Sequence, residues 1–238
     1  MGVSQPATGP QLLDRILAEP GDDARWGLLV DLAKGDPDRS LAEGIDGLAS
    51  AEASRRETSA DLLGQVVQVR RDHVAVMAQA LLPRLRLEQD PCALESVICA
   101  LHYAGDVRAV DGILDHVAHP DADVRFAVTF ALGPFVENPY ALASLRRLST
   151  DPVDAVRDWA TFALAVGGAV DDATIEALAA RSDDPHDDTR AEAIYGLAVR
   201  GDPRARALID REPTHPERPR LIEEARQALD EFEALQRG

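Results

Sequence analysis

The sequence predicts an all-α protein, a right-handed α-solenoid of about seven helical hairpins. Three observations predict it. One helix recurs in near copies, as Asp121-Ala-Asp-Val-Arg-Phe-Ala-Val-Thr-Phe-Ala-Leu-Gly133, Asp154-Ala-Val-Arg-Asp-Trp-Ala-Thr-Phe-Ala-Leu164 and Asp187-Asp-Thr-Arg-Ala-Glu-Ala-Ile-Tyr-Gly-Leu197. The last Leu of each copy extends to a register in both directions: Leu32, Leu63, Leu101, Leu132, Leu164, Leu197 and Leu229, spaced 31, 38, 31, 32, 33 and 32 residues apart. Each interval also holds two helical segments, and a hairpin of that length cannot bury its apolar face alone, so successive hairpins must stack.

Residues 1–10, rich in turn formers, are expected to be a flexible leader, with one repeat domain over residues 11–238. An amphipathic helix at about Gln11 to Ala18 is expected to cap the stack. The first repeat then runs from Asp22 through Leu32, breaks at Gly35-Asp-Pro37 and returns at about Arg39 to Leu48. Ser54 stands three residues before Glu57, the form of a capping box, and opens the second repeat. The long interval up to Leu101 reads as a longer return segment, Asp72 to Leu87, bent at Pro83 where a ring replaces a backbone donor.

The third repeat opens at Asp90-Pro91 and returns through Val110, Ile113, Leu114 and Val117. The next three open at His119-Pro120, Asp151-Pro152 and Asp184-Pro185, and proline is expected in the first turn of each helix with the preceding residue as its cap. Short return helices are expected at about Tyr140 to Leu148, Ala173 to Arg181 and Arg204 to Arg211. Last come a proline-rich loop, Glu212 to Pro219, and a charged amphipathic helix, Arg220 to Leu235, the polar ending that a free end of a stack requires.

Seven residues before each register Leu stand Arg25, Arg56, Leu94, Arg125, Arg157, Arg190 and Ile222. The resulting pattern, Asp-x-Val-Arg-x-x-Ala-x-x-x-Ala-Leu-Gly, resembles the HEAT-like repeat proteins, in the short bacterial form also seen in the bilin-lyase type of repeat. The resemblance covers about residues 20–235. It implies a solenoid of HEAT-like hairpins, and it carries little about activity because repeat residues are structural.

Aromatic residues make up only 4% of the chain, so the interior must be built from Ala, Leu and Val. With 42 acidic against 25 basic residues the net charge is -17, a field hostile to phosphate backbones and anionic membranes. Nucleic acid is therefore not the expected partner, and a basic protein is. No apolar run reaches the roughly 18 residues of a membrane span, and the first residues lack the basic-then-apolar pattern of a signal peptide. A soluble, cytoplasmic monomer is expected, with Cys92 and Cys99 as buried free thiols, two turns apart on one helix and too distant for a disulfide.

On a helical wheel with the repeat Arg at zero, the residues at -1, +3, +6 and +7 cluster near ~280° and form the core stripe. The Arg lies on its flank. Arg125, Arg157 and Arg190 are expected to reach acids such as Asp123, Asp154 and Asp187 in a ladder between repeats. Position +5 holds an aromatic row, Phe130, Phe162 and Tyr195, read as packing between repeats and, if exposed, as the first candidate for a partner site. Trp26 and Trp159 are read as filler between helices.

Six histidines, at 73, 102, 116, 119, 186 and 215, lack the spacing of a zinc or calcium site, and no metal or other cofactor is expected. The chain has no His-Glu pair of the kind used by the di-iron hydroxylases built from such repeats, no phosphate loop and no nucleophile elbow. No catalytic residue is assigned. The expectation is a non-enzymatic scaffold or adaptor binding a protein partner, with Arg146, Arg147, Glu176, Arg204 and Arg206 of the return helices as polar contacts. The competing reading is a lyase-like or maturation factor for a tetrapyrrole or modified protein.

Overall fold

The computed structural model describes residues 11–168, 171–212 and 219–237. The expected leader at residues 1–10, most of the proline-rich loop and His215 lie outside the described residues. Every regular element among the described residues is helical, and the chain divides into two compact units, Met1–Ile113 and Leu114–Gly238.

In the first unit α1 (Leu12–Leu17), α2 (Asp22–Gly35) and α3 (Pro37–Gly47) pack around α4 (Ala53–Val69). Leu13 and Ile16 of α1 join Leu29, Ala33, Leu62 and Val66 in one buried cluster, which is why so short a helix holds its place. The long return segment is in pieces: a 3-10 turn at Arg71–His73, α5 (Val74–Leu81) and α6 (Arg84–Leu87). The break falls at Pro83, which has no N–H to continue the ladder. Helix α7 (Pro91–Ala104) lies along α4, and α8 (Val110–Leu114) follows a 3-10 turn.

The second unit repeats one motif. Helices α9 (Ala122–Leu132), α11 (Asp154–Val166) and α13 (Asp187–Ala198) are the recurring first helices, and α10 (Pro139–Leu148), α12 (Asp172–Arg181) and α14 (Ala205–Arg211) are the returns. Helix α9 packs on α11, α11 on α13, and α13 on α15 (Pro219–Arg237). The expected core stripe is buried in full: Val124, Val128, Ala131 and Leu132 in α9, and Val156, Ala160, Ala163 and Leu164 in α11. Full burial of each Val or Leu contributes about 1.5–3 kcal/mol, so the stripe stabilises the stack without aromatic residues.

Local signals differ from expectation in four respects: the placement of three prolines, the capping by Ser54, and the exposure of Cys92 and of Trp26. Proline sits in the first turn behind its cap at Asp90-Pro91, where the Asp90 carboxylate accepts from the Ala93 N–H at 3.1 Å. Pro120, Pro152 and Pro185 instead precede α9, α11 and α13. The cause is the side chain before each proline: His119 Nδ1 accepts from the N–H of Asp121 at 3.2 Å, and Asp151 from that of Val153 and Asp184 from that of His186, each at 3.0 Å, which builds a separate turn ahead of the helix.

Ser54 does not cap α4. Ser50 Oγ takes the Glu52 N–H at 3.1 Å and turns the chain into the helix before Ser54 is reached. Cys92 is exposed in the first turn of α7 while Cys99 is partly buried, and both are free thiols. Trp26 is 47% exposed on α2 and fills no gap between helices.

Candidate interaction surface and the repeat arginines

All five repeat arginines donate to the carbonyl six residues upstream. Arg25 reaches Glu19, Arg56 reaches Ser50, Arg125 reaches His119, Arg157 reaches Asp151 and Arg190 reaches Asp184. The bond ties the helix to the loop that opens it. In four of the five, the guanidinium also reaches an acid of the next repeat: Arg56 forks through Nε and Nη2 onto Glu88, Arg125 onto Asp151 and Arg157 onto Asp184, while Arg190 meets Glu212 through Nε alone.

The ladder exists, then, with different partners from those expected. Arg157 and Arg190 do meet Asp154 and Asp187, at 2.6 and 2.9 Å. These acids are exposed, and the buried acceptors are the more distant ones. Arg125 pairs with Asp151 at 2.7 Å, and Asp123 is not its partner because the planar fork is already turned toward the next repeat. Asp151 and Asp184 each do two jobs: the carbonyl holds the Arg of its own repeat while the carboxylate takes the Arg of the one before.

Electrostatics follow from this pairing. The Arg56 bond, assisted by the Asp90 and Gln89 N–H groups and Arg84, holds the Glu88 carboxyl down at about 2 against the cost of burial. Burial opposes the charge of Asp184, yet Arg157, the His186 N–H and nearby Arg181 keep its carboxyl below the usual range. Asp61 in α4 behaves oppositely. Burial pushes its carboxyl up to about 6; a bond from Ser96 works against that, while nearby Glu57 and Glu95 add to it.

Position +5 lies off the core stripe, as the wheel requires. Phe130 and Tyr195 are half-buried, and Phe162 is 40% exposed. Trp159, 38% exposed, is the hub of the row. It meets Phe126, Phe130 and Phe162 at centroid separations of 5.9, 5.5 and 5.7 Å, all edge to face. Phe126 and Trp159 are the members that the +5 rule missed. Their signal was present: Phe126 stands four residues before Phe130, and Trp159 three before Phe162, each one helical turn away.

The return-helix arginines are engaged with neighbouring elements. Arg146 of α10 meets Asp171 at 2.6 Å and Thr174 at 3.2 Å. Arg204 spans Asp202 and Glu176, at 2.8 and 2.9 Å. Arg206 of α14 reaches Asp230 and Glu233 of α15, at 2.6 and 3.0 Å. Arg147 is exposed on α10. The first three form a second set of ties between elements, parallel in purpose to the first.

Among the described residues no group of three or more His, Cys, Asp or Glu converges on a point that could hold a metal ion. Cys99 is held inert: burial, with Glu95 and Asp61 nearby, pushes its thiol up to about 12, so it is protonated at neutral pH. A small cavity of about 190 Å³ opens in the first unit between Trp26, Leu29, Glu57 and Asp61. Among the described residues no helix is long and apolar enough to cross a membrane.

Comparison with known proteins agrees with this architecture. Residues 78–165 match the family described as HEAT repeats. No curated protein matches the sequence. Among solved structures, YibA of Escherichia coli superposes with a TM-score of 0.74 at 20% identity, over 96% of this chain and 84% of that one. An archaeal HEAT-like repeats protein from Thermococcus onnurineus NA1 gives 0.60 at 12% identity, over 97% and 98%. A designed armadillo repeat protein in complex with the peptide (KR)4 gives 0.56 at 14% identity, over 79% and 97%. The chain thus carries HEAT repeats at residues 78–165, and its fold is that of the HEAT-like α-solenoids.

Proposed function

We propose that this protein, as a cytoplasmic monomer, is a non-enzymatic scaffold or adaptor that holds a basic segment of a protein partner. The observation that carries the reading is where the arginines go. Arg56, Arg125, Arg157 and Arg190 are turned into the ladder, and Arg146, Arg204 and Arg206 are tied between neighbouring elements. With so much positive charge committed internally, the surface is left to the excess of 42 acids over 25 bases.

An acidic field raises the local concentration of cationic segments and speeds their encounter, and it repels nucleic acid. The designed armadillo repeat protein of similar fold is in complex with the peptide (KR)4, which supports the chemistry. The reading is tested by isothermal titration with that octapeptide and with a Glu-rich octapeptide, at roughly 50 and 300 mM salt. Binding of the basic peptide alone, weakened by salt, is expected. No binding at low salt, or equal binding of the acidic peptide, removes the reading.

A further inference from the structure

We infer that Phe126 and Phe130 of α9, with Trp159, Phe162 and Val166 of α11, form the docking site for that basic segment, an extended Lys- and Arg-rich strand of the partner. The inference rests on the adaptor reading above and gives it a location.

Four aromatic rings collect here in a chain that is only 4% aromatic. They pack against one another across two repeats, but not to exclusion of water: Trp159 is 38% exposed, Phe162 40% and Val166 53%. Trp159, Phe162 and Val166 stand at i, i+3 and i+7, one stripe of α11. Ala155, one turn before Trp159, is exposed and too small to cover the indole.

Ring geometry selects the occupant. The Trp159 contacts are edge to face, with interplanar angles of 86°, 89° and 76°. Edge-to-face pairing does not cover both faces of every ring, and a ring face carries the negative lobe of the quadrupole. Ammonium and guanidinium groups bind such faces within about 6 Å of the centroid, and their aliphatic stems lie on apolar surface such as Val166.

Charge at the border points the same way. Asp123 is exposed one turn before Phe126 on α9, while Asp158, one turn before Phe162, is turned toward α13, where it accepts from Thr189 Oγ1 at 3.1 Å. Arg125 and Arg157, the bases nearest in sequence, are turned into the ladder toward Asp151 and Asp184. A strand with alternating cationic residues can set every second side chain on the rings and their acidic margin, as the period of an extended chain allows.

The experiment uses a Trp26→Phe protein, in which Trp159 is the sole tryptophan, titrated with the (KR)4 octapeptide. Saturable change in Trp159 emission is expected, suppressed by salt. By isothermal titration with the same peptide, Trp159→Ala and Phe162→Ala are expected to weaken binding roughly tenfold each. The emission arm needs no change in the cluster, so it stands even where an alanine variant folds poorly.

Binding that leaves Trp159 emission and the affinity of Trp159→Ala unchanged would place the peptide elsewhere and overturn this inference while sparing the adaptor reading. Failure of the octapeptide to bind at all overturns both. Sedimentation showing a dimer that Trp159→Ala dissociates would make the cluster an interface between copies of this chain, and would likewise overturn the inference.

Discussion

Arg157 and Asp184, 27 residues apart, meet through two hydrogen bonds, Nε to Oδ2 at 2.8 Å and Nη2 to Oδ1 at 3.1 Å. Their side chains are 8% and 1% exposed. The pair is therefore one of the few among the described residues that is desolvated on both sides. Arg157→Ala leaves Asp184 buried with the His186 N–H at 3.0 Å and a single cation, Arg181 at 3.1 Å, and is expected to lower stability by about 3–5 kcal/mol in urea denaturation. Arg211→Ala is the contrast, because Arg211 and its partner Asp183 are 51% and 75% exposed and the pair is solvent-screened; its cost is expected to stay within about 1 kcal/mol. Equal losses in the two variants would deny that burial sets the value of these pairs.

Stability should depend on pH through two carboxyls of the first unit, with opposite signs. Glu88 is held near about 2 against an ordinary value of 4.5, chiefly by its bond from Arg56. The fold prefers its charged form, so its contribution is full above about pH 4.5 and is lost as pH falls toward about 2. Asp61 is pushed from 3.8 up to about 6 by burial. The fold prefers its neutral form, so its contribution is full below about pH 4 and is lost as pH rises through about 6.

Asp61→Asn, which keeps the shape without the charge, is therefore expected to raise stability near pH 8 by on the order of 2 kcal/mol and to change little near pH 3.5. Glu88→Gln is expected to destabilise at neutral pH, and the deficit should shrink as the pH is lowered. Thermal melts of both variants and the wild type across pH 3–8 measure this directly; an Asp61→Asn protein whose gain over the wild type is no larger at pH 8 than at pH 3.5 would refute the assignment.

The repeat and its inward stripe were legible because they are local: Val124, Val128, Ala131 and Leu132 fall on one helical face whatever surrounds them. The partners of the ladder were not, because Asp151 and Asp184 lie 26 and 27 residues beyond Arg125 and Arg157. A loop geometry that no short pattern encodes brings them together, and the acids nearest in sequence were the only ones a wheel could offer. One signal did exist. Asp151 and Asp184 stand six residues before Arg157 and Arg190, a fixed place in the repeat, and His119 fills that place where the preceding repeat has Leu94 in place of Arg.

The candidate surface was half legible for a similar reason. Periodicity placed Phe130 and Phe162 off the stripe, but how much of them a neighbouring repeat covers depends on the distance between helices, which spacing within one helix does not report. Arg146, Arg204 and Arg206 illustrate the same limit: each reads as a surface charge, and each meets an acid supplied by another element.

Two glycines separate backbone strain from packing. Gly105 ends α7 at φ 65° and Gly201 turns the chain after α13 at φ 64°, both in the left-handed region where a Cβ is unfavourable. Around Gly105 an added Cβ would meet nothing within 4 Å, so Gly105→Ala should cost only the backbone term, about 1–2 kcal/mol. At Gly201 the same atom would overlap the Phe232 ring of α15. Gly201→Ala therefore adds the expulsion of that ring, and the total is expected at about 2–4 kcal/mol. Hydrogen exchange should show α15 losing protection in Gly201→Ala and keeping it in Gly105→Ala. Because the extra cost lies in one contact, Gly201→Ala combined with Phe232→Ala should be less damaging than the sum of the two single changes. Strict additivity of the two would mean that the ring does not hold α15 against this turn.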